Sequence, residues 1–194
     1  MSTVPAAPAR YFTEYLPSRF SGLPGFEGVS SSGSVVFAVP EAGVWSFRMS
    51  QGQLLHEAGI ARDTVVRITI PEASFEPIVV RGTERLSELA LSPEKQMLAF
   101  RALTLDAERA AQIRSVVGSV SFAVQEGSAT YRVFVTPGLA EPNLTRPECE
   151  ISCEAEAFWG LQTGRQNPFE HLMSGKIKIS GEAQIPLALS SLFV

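Results

Sequence analysis

Two cysteines, two histidines and a short acidic run are the residues of this chain best able to do chemistry. Cys149 and Cys153 lie in Glu148-Cys149-Glu150-Ile151-Ser152-Cys153-Glu154-Ala155-Glu156, where polar and less polar residues alternate as in a strand. Four residues along a strand separate the thiols by about 13 Å, beyond the roughly 7 Å that the Cα atoms of a disulfide can span. Both are therefore expected to be reduced and to share one face, which suits an intracellular setting. Cys153 with His171 could form a nucleophile and its base, and Glu148, Glu150 and Glu154 could supply an acid and a base. The alternation instead makes the carboxylates a solvated outer face, and it puts Cys153 in the middle of a strand. With His56 and His171 the only histidines, no two-histidine zinc motif can be drawn, and no Cys-His group has metal spacing. Phosphate-loop, dinucleotide and nucleophile-elbow motifs are absent from the sequence. No catalytic residue, metal or cofactor is assigned.

The elements that must position such residues belong to a packed protein. Of 194 residues 45% are apolar and 19% charged, a globular composition long enough to bury one sizeable core or two small ones. Sixteen basic and twenty acidic residues give a net charge of −4 with no basic stripe, so nucleic acid is not an expected partner. No apolar run reaches the length of a membrane span, and Met1 to Arg10 lack a signal-peptide core. A soluble, cytoplasmic protein without stable membrane insertion is expected. Asn143-Leu144-Thr145, a glycosylation pattern with no secretory leader before it, is read as loop.

The chain nearly repeats itself. Gly33-Ser34-Val35-Val36-Phe37-Ala38-Val39-Pro40-Glu41 recurs as Gly118-Ser119-Val120-Ser121-Phe122-Ala123-Val124-Gln125-Glu126. Val66 to Ile70 with Phe75 and Gly82 then corresponds to Cys149 to Cys153 with Phe158 and Gly164, and Ser92-Pro93 to Asn167-Pro168, each pair placing a cap before a first-turn proline. Four matches in one order argue for two copies of one α+β unit: 1–10 a flexible tail, 11–103 the first unit, 104–194 the second. Tyr11, Phe12, Tyr15, Leu16 and Phe20 predict a helix, as do Leu105, Ala110, Ile113, Val116 and Val117 behind a Thr104 cap. Alternation predicts strands at Val35/Phe37/Val39, Trp45/Phe47/Met49, Val66/Ile68/Ile70, Val120/Phe122/Val124, Tyr131/Val133/Val135, Ile177/Ile179 and Ile185/Leu187/Leu189.

The most specific stretch is C-terminal: Phe158-Trp159-Gly160-Leu161-Gln162-Thr163-Gly164, then Asn167-Pro168, Met173-Ser174-Gly175 and Lys176-Ile177-Lys178-Ile179-Ser180-Gly181-Glu182. It resembles the closing segment of the sterol carrier protein-2 (SCP-2) family, with Glu182 where that family usually has Asp. The resemblance covers about Gly118 to Phe193 well and Tyr11 to Gly82 more loosely. It implies an SCP-2-like α+β fold, a mainly antiparallel sheet covered by helices, here duplicated, with a hydrophobic cavity between the layers. Carried over by position, the cavity-lining residues are Phe158, Leu161, Phe169, Leu172, Met173, Ile177, Ile179, Leu187, Leu189, Leu192 and Phe193. Phe37, Trp45, Phe47, Phe75, Met97 and Phe100 are their counterparts in the first unit. One cavity, one shared between units, or two all fit the sequence.

The implied function is binding or transfer of an apolar ligand (fatty acid, acyl-CoA or sterol-like). Desolvation at about 0.8 kcal/mol per buried CH₂ would drive it. A small enzyme that shapes an apolar or polyketide-like substrate in the same cavity is the alternative, marked by a buried His or carboxylate in the wall. A third is a structural or interaction module filled by its own side chains, Trp45 and Trp159 above all.

Overall fold

A computed structural model describes residues 3–20, 27–88, 103–162, 168–189 and 192, with the side chains of Gln162, Pro168 and Phe169 outside that description. The strands are β1 (Ser34–Val39), β2 (Gly43–Ser50), β3 (Gln53–Ala58), β4 (Thr64–Thr69), β5 (Val120–Glu126), β6 (Ala129–Pro137), β7 (Cys149–Glu154) and β8 (Ile177–Gly181). They form one sheet in the order β3-β2-β1-β4-β6-β5-β7-β8. Its pairings are antiparallel except β1 with β4 and β5 with β7. The fold is α+β, as the alternation and the family resemblance imply. In each half the first strand of a hairpin also pairs in parallel with a later strand: β1 with β4, after β3 has extended the hairpin, and β5 with β7 directly. The halves meet where β4 pairs with β6, from Val66 opposite Pro137 to Thr69 opposite Phe134.

β3 is not marked by alternation. Its pairing follows from the turn, in which Gln51 and Gly52 both have positive φ and so twist the hairpin as a two-residue primed turn does.

Helix α1 runs through Pro8–Arg10, Tyr11–Tyr15 and Leu16–Phe20, and α2 through Glu72–Ser74, Phe75–Val80 and Arg81–Glu88. The middle segment of each is π-helical, and each holds or abuts a proline, Pro17 or Pro77. A proline in a helix lacks the N–H and crowds the carbonyl four residues back, which a locally wider turn accommodates. Helix α1 begins at Pro8, inside the segment read as a tail.

Helix α3 spans Ala107–Ser115, and its cap is Asp106 rather than the expected Thr104: the Asp106 carboxylate accepts the Arg109 N–H at 2.8 Å. Val116 and Val117 fall beyond it, and Val117 is exposed. Helix α4 is Ala155–Gln162, α5 Pro168–Met173 and α6 Gln184–Ala188. Helix α6 overturns the strand expected at Ile185/Leu187/Leu189. Ile185 and Leu189, four apart, are both buried while Leu187 is exposed, a helical period that apolar alternation imitates over five residues. The short helices expected after Ser92 and Asn167 differ in outcome: the first lies outside the described residues, the second is α5.

The main core lies on one face of the sheet, where Phe12, Phe20, Phe75, Ile113 and Ile185 from the helices meet Val35, Phe47, Val66, Val120 and Val135 from the strands. One carboxylate ties the far end of the sheet. Glu148 Oε2 accepts from the Ser119 N–H (2.9 Å) and the Ser119 hydroxyl (2.7 Å), joining the approaches to β5 and β7. Those bonds, the hydroxyl's first, hold the Glu148 carboxyl below its ordinary range. A depressed folded-state pKa stabilises the protein above the unfolded value, and this is lost as pH falls through the folded value. Thermal melts should therefore show Ser119→Ala lowering Tm at pH 7, with the gap from the parent protein closing as the pH drops below about 4.

Candidate functional site

On the helix-side face, strand register sets Val124 beside Cys153 and Cys153 beside Ile177. Helix α4 lies over this row, so Val124, Cys153, Ala157, Phe158 and Ile177 form a second apolar cluster apart from the main core, with Ile78, Ile151, Trp159 and Leu161 packed against it. The cluster is built from both halves, since Ile78 belongs to α2. Trp159 extends that junction. A Cβ added at Gly82 would meet the Trp159 ring at 2.9 Å, and the Arg85 guanidinium lies 5.2 Å from that ring's centroid, a cation–π contact. Gly82 is thus where α2 makes room for an α4 indole.

A cleft of about 380 Å³ opens beside this cluster. Cys153 and Ala157 are its apolar wall; Gln125, Ser152, Glu154, Glu156, His171, Ser174, Lys176 and Lys178 surround it. Two carboxylates and two ammonium groups belong to the lining, so its net charge is close to zero. His171 is buried, and its Nδ1 has no hydrogen-bond partner among the described residues. Its carbonyl accepts the Lys176 N–H at 2.9 Å, which carries the chain from α5 through Gly175 (φ 72°) into β8. Apolar wall, polar rim and a single imidazole suit an amphiphile better than a reaction that needs several converging groups.

Both cysteines are free and buried. Burial raises the Cys153 thiol pKa, and burial with the Glu182 charge raises that of Cys149. A thiol held above its ordinary pKa has little thiolate at neutral pH. Iodoacetamide at pH 7.5 should therefore label both at least about tenfold more slowly than free cysteine, and a ligand in the cleft should slow Cys153 further while leaving Cys149 unchanged.

The residues carried over from the family motif divide into three groups. Phe158, Leu161 and Ile177 come together in the second cluster. Leu189 and Leu192 lie in the main core. Leu172, Met173 (73% exposed), Ile179 and Leu187 (71%) are on the surface. The side chains of Phe169 and Phe193 lie outside the described residues. In the first half, Phe12 stacks on Trp45 at 4.9 Å and contacts Phe37 at 5.1 Å and Phe75 at 5.8 Å, while Phe37 meets Phe47 at 5.6 Å. These rings fill one another's space; Met97 and Phe100 lie outside the described residues. Sequence reasoning missed Val124, Ala157 and Ile78. Among the described residues no group of three or more His, Cys, Asp or Glu could hold a metal ion, and no helix is long and apolar enough to cross a membrane.

The chain is similar to several solved structures. Sterol Carrier Protein 2 Like 2 from Aedes aegypti is 16% identical, with 57% of this chain and 94% of that one covered and a TM-score of 0.36. The sterol carrier protein domain 2 of Helicoverpa armigera is 25% identical, with 52% and 82% covered and a TM-score of 0.36. Sterol Carrier Protein-2 from Aedes aegypti, solved with the C16 fatty acid palmitate, is 15% identical, with 54% and 97% covered and a TM-score of 0.35. No curated protein matches the chain. The sequence model of the SCP-2 sterol transfer family matches residues 99–194. The C-terminal half, which supplies β5 to β8 and most of the second cluster, belongs to the SCP-2 sterol transfer family.

Proposed function

We propose that this protein binds, and hands on, an apolar or amphiphilic ligand of the fatty acyl or sterol-like class at the cleft between α4, α5 and strands β7 and β8. The observation that carries the reading is the family membership of residues 99–194. The cleft's composition supports it: the ligand's hydrocarbon would lie against Cys153 and Ala157 and reach the second cluster, and its polar end would meet Lys176, Lys178 and His171. Phe158, Leu161 and Ile177 stand behind the wall. Recurrence of a hairpin plus a parallel strand in each half supports two copies of one unit, 11–103 and 104–194, and the ring-filled helix-side core of the first half favours a working helix-side cavity in the second alone.

Native mass spectrometry of the purified protein, with organic extraction of anything it carries, tests this directly. A stoichiometric fatty acid, acyl-CoA or isoprenoid supports the proposal. An empty protein that also ignores added fluorescent fatty acid overturns it. One observation favours an enzyme as the second reading: His171 is buried, lines the cleft and has no partner for Nδ1 among the described residues. His171→Gln separates the two, because a carrier would retain ligand capacity and an enzyme would hold its ligand but lose turnover.

A further inference from the structure

The sheet has a second covered face. Val35, Phe37, Val39, Val66 and Ile68 point into the helical core, so by strand alternation Ala38, Arg67, Thr69, Phe134, Thr136 and Ser121 point the other way. All six are nevertheless buried. The connection 138–148 between β6 and β7 runs along this side. The Gly138 N–H donates to the Val65 carbonyl at 2.8 Å, and Glu141 Oε1 accepts from Arg67 Nη1 at 3.0 Å. Asn143 Oδ1 accepts the N–H groups of Thr145 and Arg146 at 3.1 and 2.9 Å, which stiffens the loop as an Asx turn does.

Between this connection and the β1–β2 turn lies a cleft of about 530 Å³. Ala38, Ala42, Val44, Pro142 and Leu144 make its walls apolar, and Arg67 and Thr69 are its polar elements on β4. The Arg67 side chain is only 9% exposed, against 78% for its partner Glu141. Arg67 Nε and Thr69 Oγ1 are enclosed and have no hydrogen-bond partner among the described residues. Buried donors without acceptors are costly, and of the four such side chains on this face, Arg67, Thr69, Ser121 and Thr136, the first two belong to residues that line the cleft.

The charges choose the ligand. Glu141 already neutralises Arg67, and Glu41 at the β1–β2 turn adds another negative charge to the lining. A ligand carboxylate would face two carboxylates and one shared guanidinium, whereas a neutral carbonyl oxygen accepts from the same donors without that repulsion. We propose that this cleft is a second small-molecule site, on the face opposite the helices, for an uncharged and largely apolar compound whose carbonyl oxygen is hydrogen-bonded by Arg67 and Thr69.

The test uses the full chain and a matched pair of probes, 4-phenyl-2-butanone and 3-phenylpropionate, titrated while backbone amide resonances are followed by NMR. The ketone should give saturable shifts in 38–44, 67–69 and 143–145 and bind at least about tenfold more tightly than the carboxylate. Thr69→Val, nearly isosteric, should weaken the ketone about tenfold, the size of one lost hydrogen bond. Leu144→Trp, at the exposed rim, should block it without touching the sheet. Glu41→Gln with Glu141→Gln should raise affinity for the carboxylate. The proposal falls if the ketone shifts none of these residues, if the carboxylate binds the parent protein as tightly, or if Thr69→Val and Leu144→Trp leave the titration unchanged.

Discussion

Ala157→Trp is expected to weaken uptake of a fluorescent fatty acid by at least about tenfold, equivalent to 1.4 kcal/mol or more, while the protein still melts as a folded domain. Ala157 is buried in α4 and forms the apolar wall of the helix-side cleft. An indole added there has the cleft to grow into, so the cost should fall on the ligand and not on packing against β7. Ser174→Trp approaches the same space from the exposed end of α5 and serves as the check. If neither variant changes uptake, the ligand lies elsewhere, and a displacement assay with both variants would show it. Met173→Trp, by contrast, should change little, because Met173 already faces solvent.

Gly181→Ala should be among the most destabilising single changes, by about 2–4 kcal/mol in chemical denaturation. Gly181 ends β8 with φ 85°, and a Cβ there would collide with the Glu148 carbonyl oxygen. That carbonyl also accepts the Glu182 N–H at 2.9 Å, so it cannot move aside without losing a hydrogen bond. Gly175 is the control. Its φ is similar at 72°, but nothing lies within 4 Å of an added Cβ, so Gly175→Ala should cost only the left-handed backbone penalty of roughly 1 kcal/mol. Equal losses at the two positions would mean that backbone conformation, not the close approach to Glu148, fixes the glycine. Because β8 carries Ile177 and Lys178, Gly181→Ala should also weaken ligand uptake.

Much of the strand layout was legible because most strands, β3 excepted, alternate apolar and polar residues. Val120, Phe122 and Val124 alternate, Gly127-Ser128 turns the chain, and β5 and β6 follow. The family motif named Phe158, Leu161 and Ile177, which the fold packs together in the second cluster. It did not name their neighbours. Val124 reaches Cys153 only through a parallel crossover whose register no local pattern records, and Ile78 arrives from the other half of the chain. Met173 and Leu187 show the converse limit: a motif position says which residue stands there, not which side of a short helix faces inward. Arg67 was predicted by alternation to oppose Val66 and Ile68. Nothing in its surroundings announced that 138–148 would fold over that side and bury it.

The seam between β4 and β6 binds the two halves into one cooperative body. Neither half ends at a natural border: cut there, each would present a bare strand edge with unpaired amides, a template for aggregation. A fragment beginning near residue 104 would lose β4 as well as Ile78, Gly82 and Arg85 from the wall beside Trp159. A ligand bound at the proposed C-terminal cleft would therefore stabilise the N-terminal strands too, through linkage, and amide exchange in β1 and β2 would serve as a remote gauge of it.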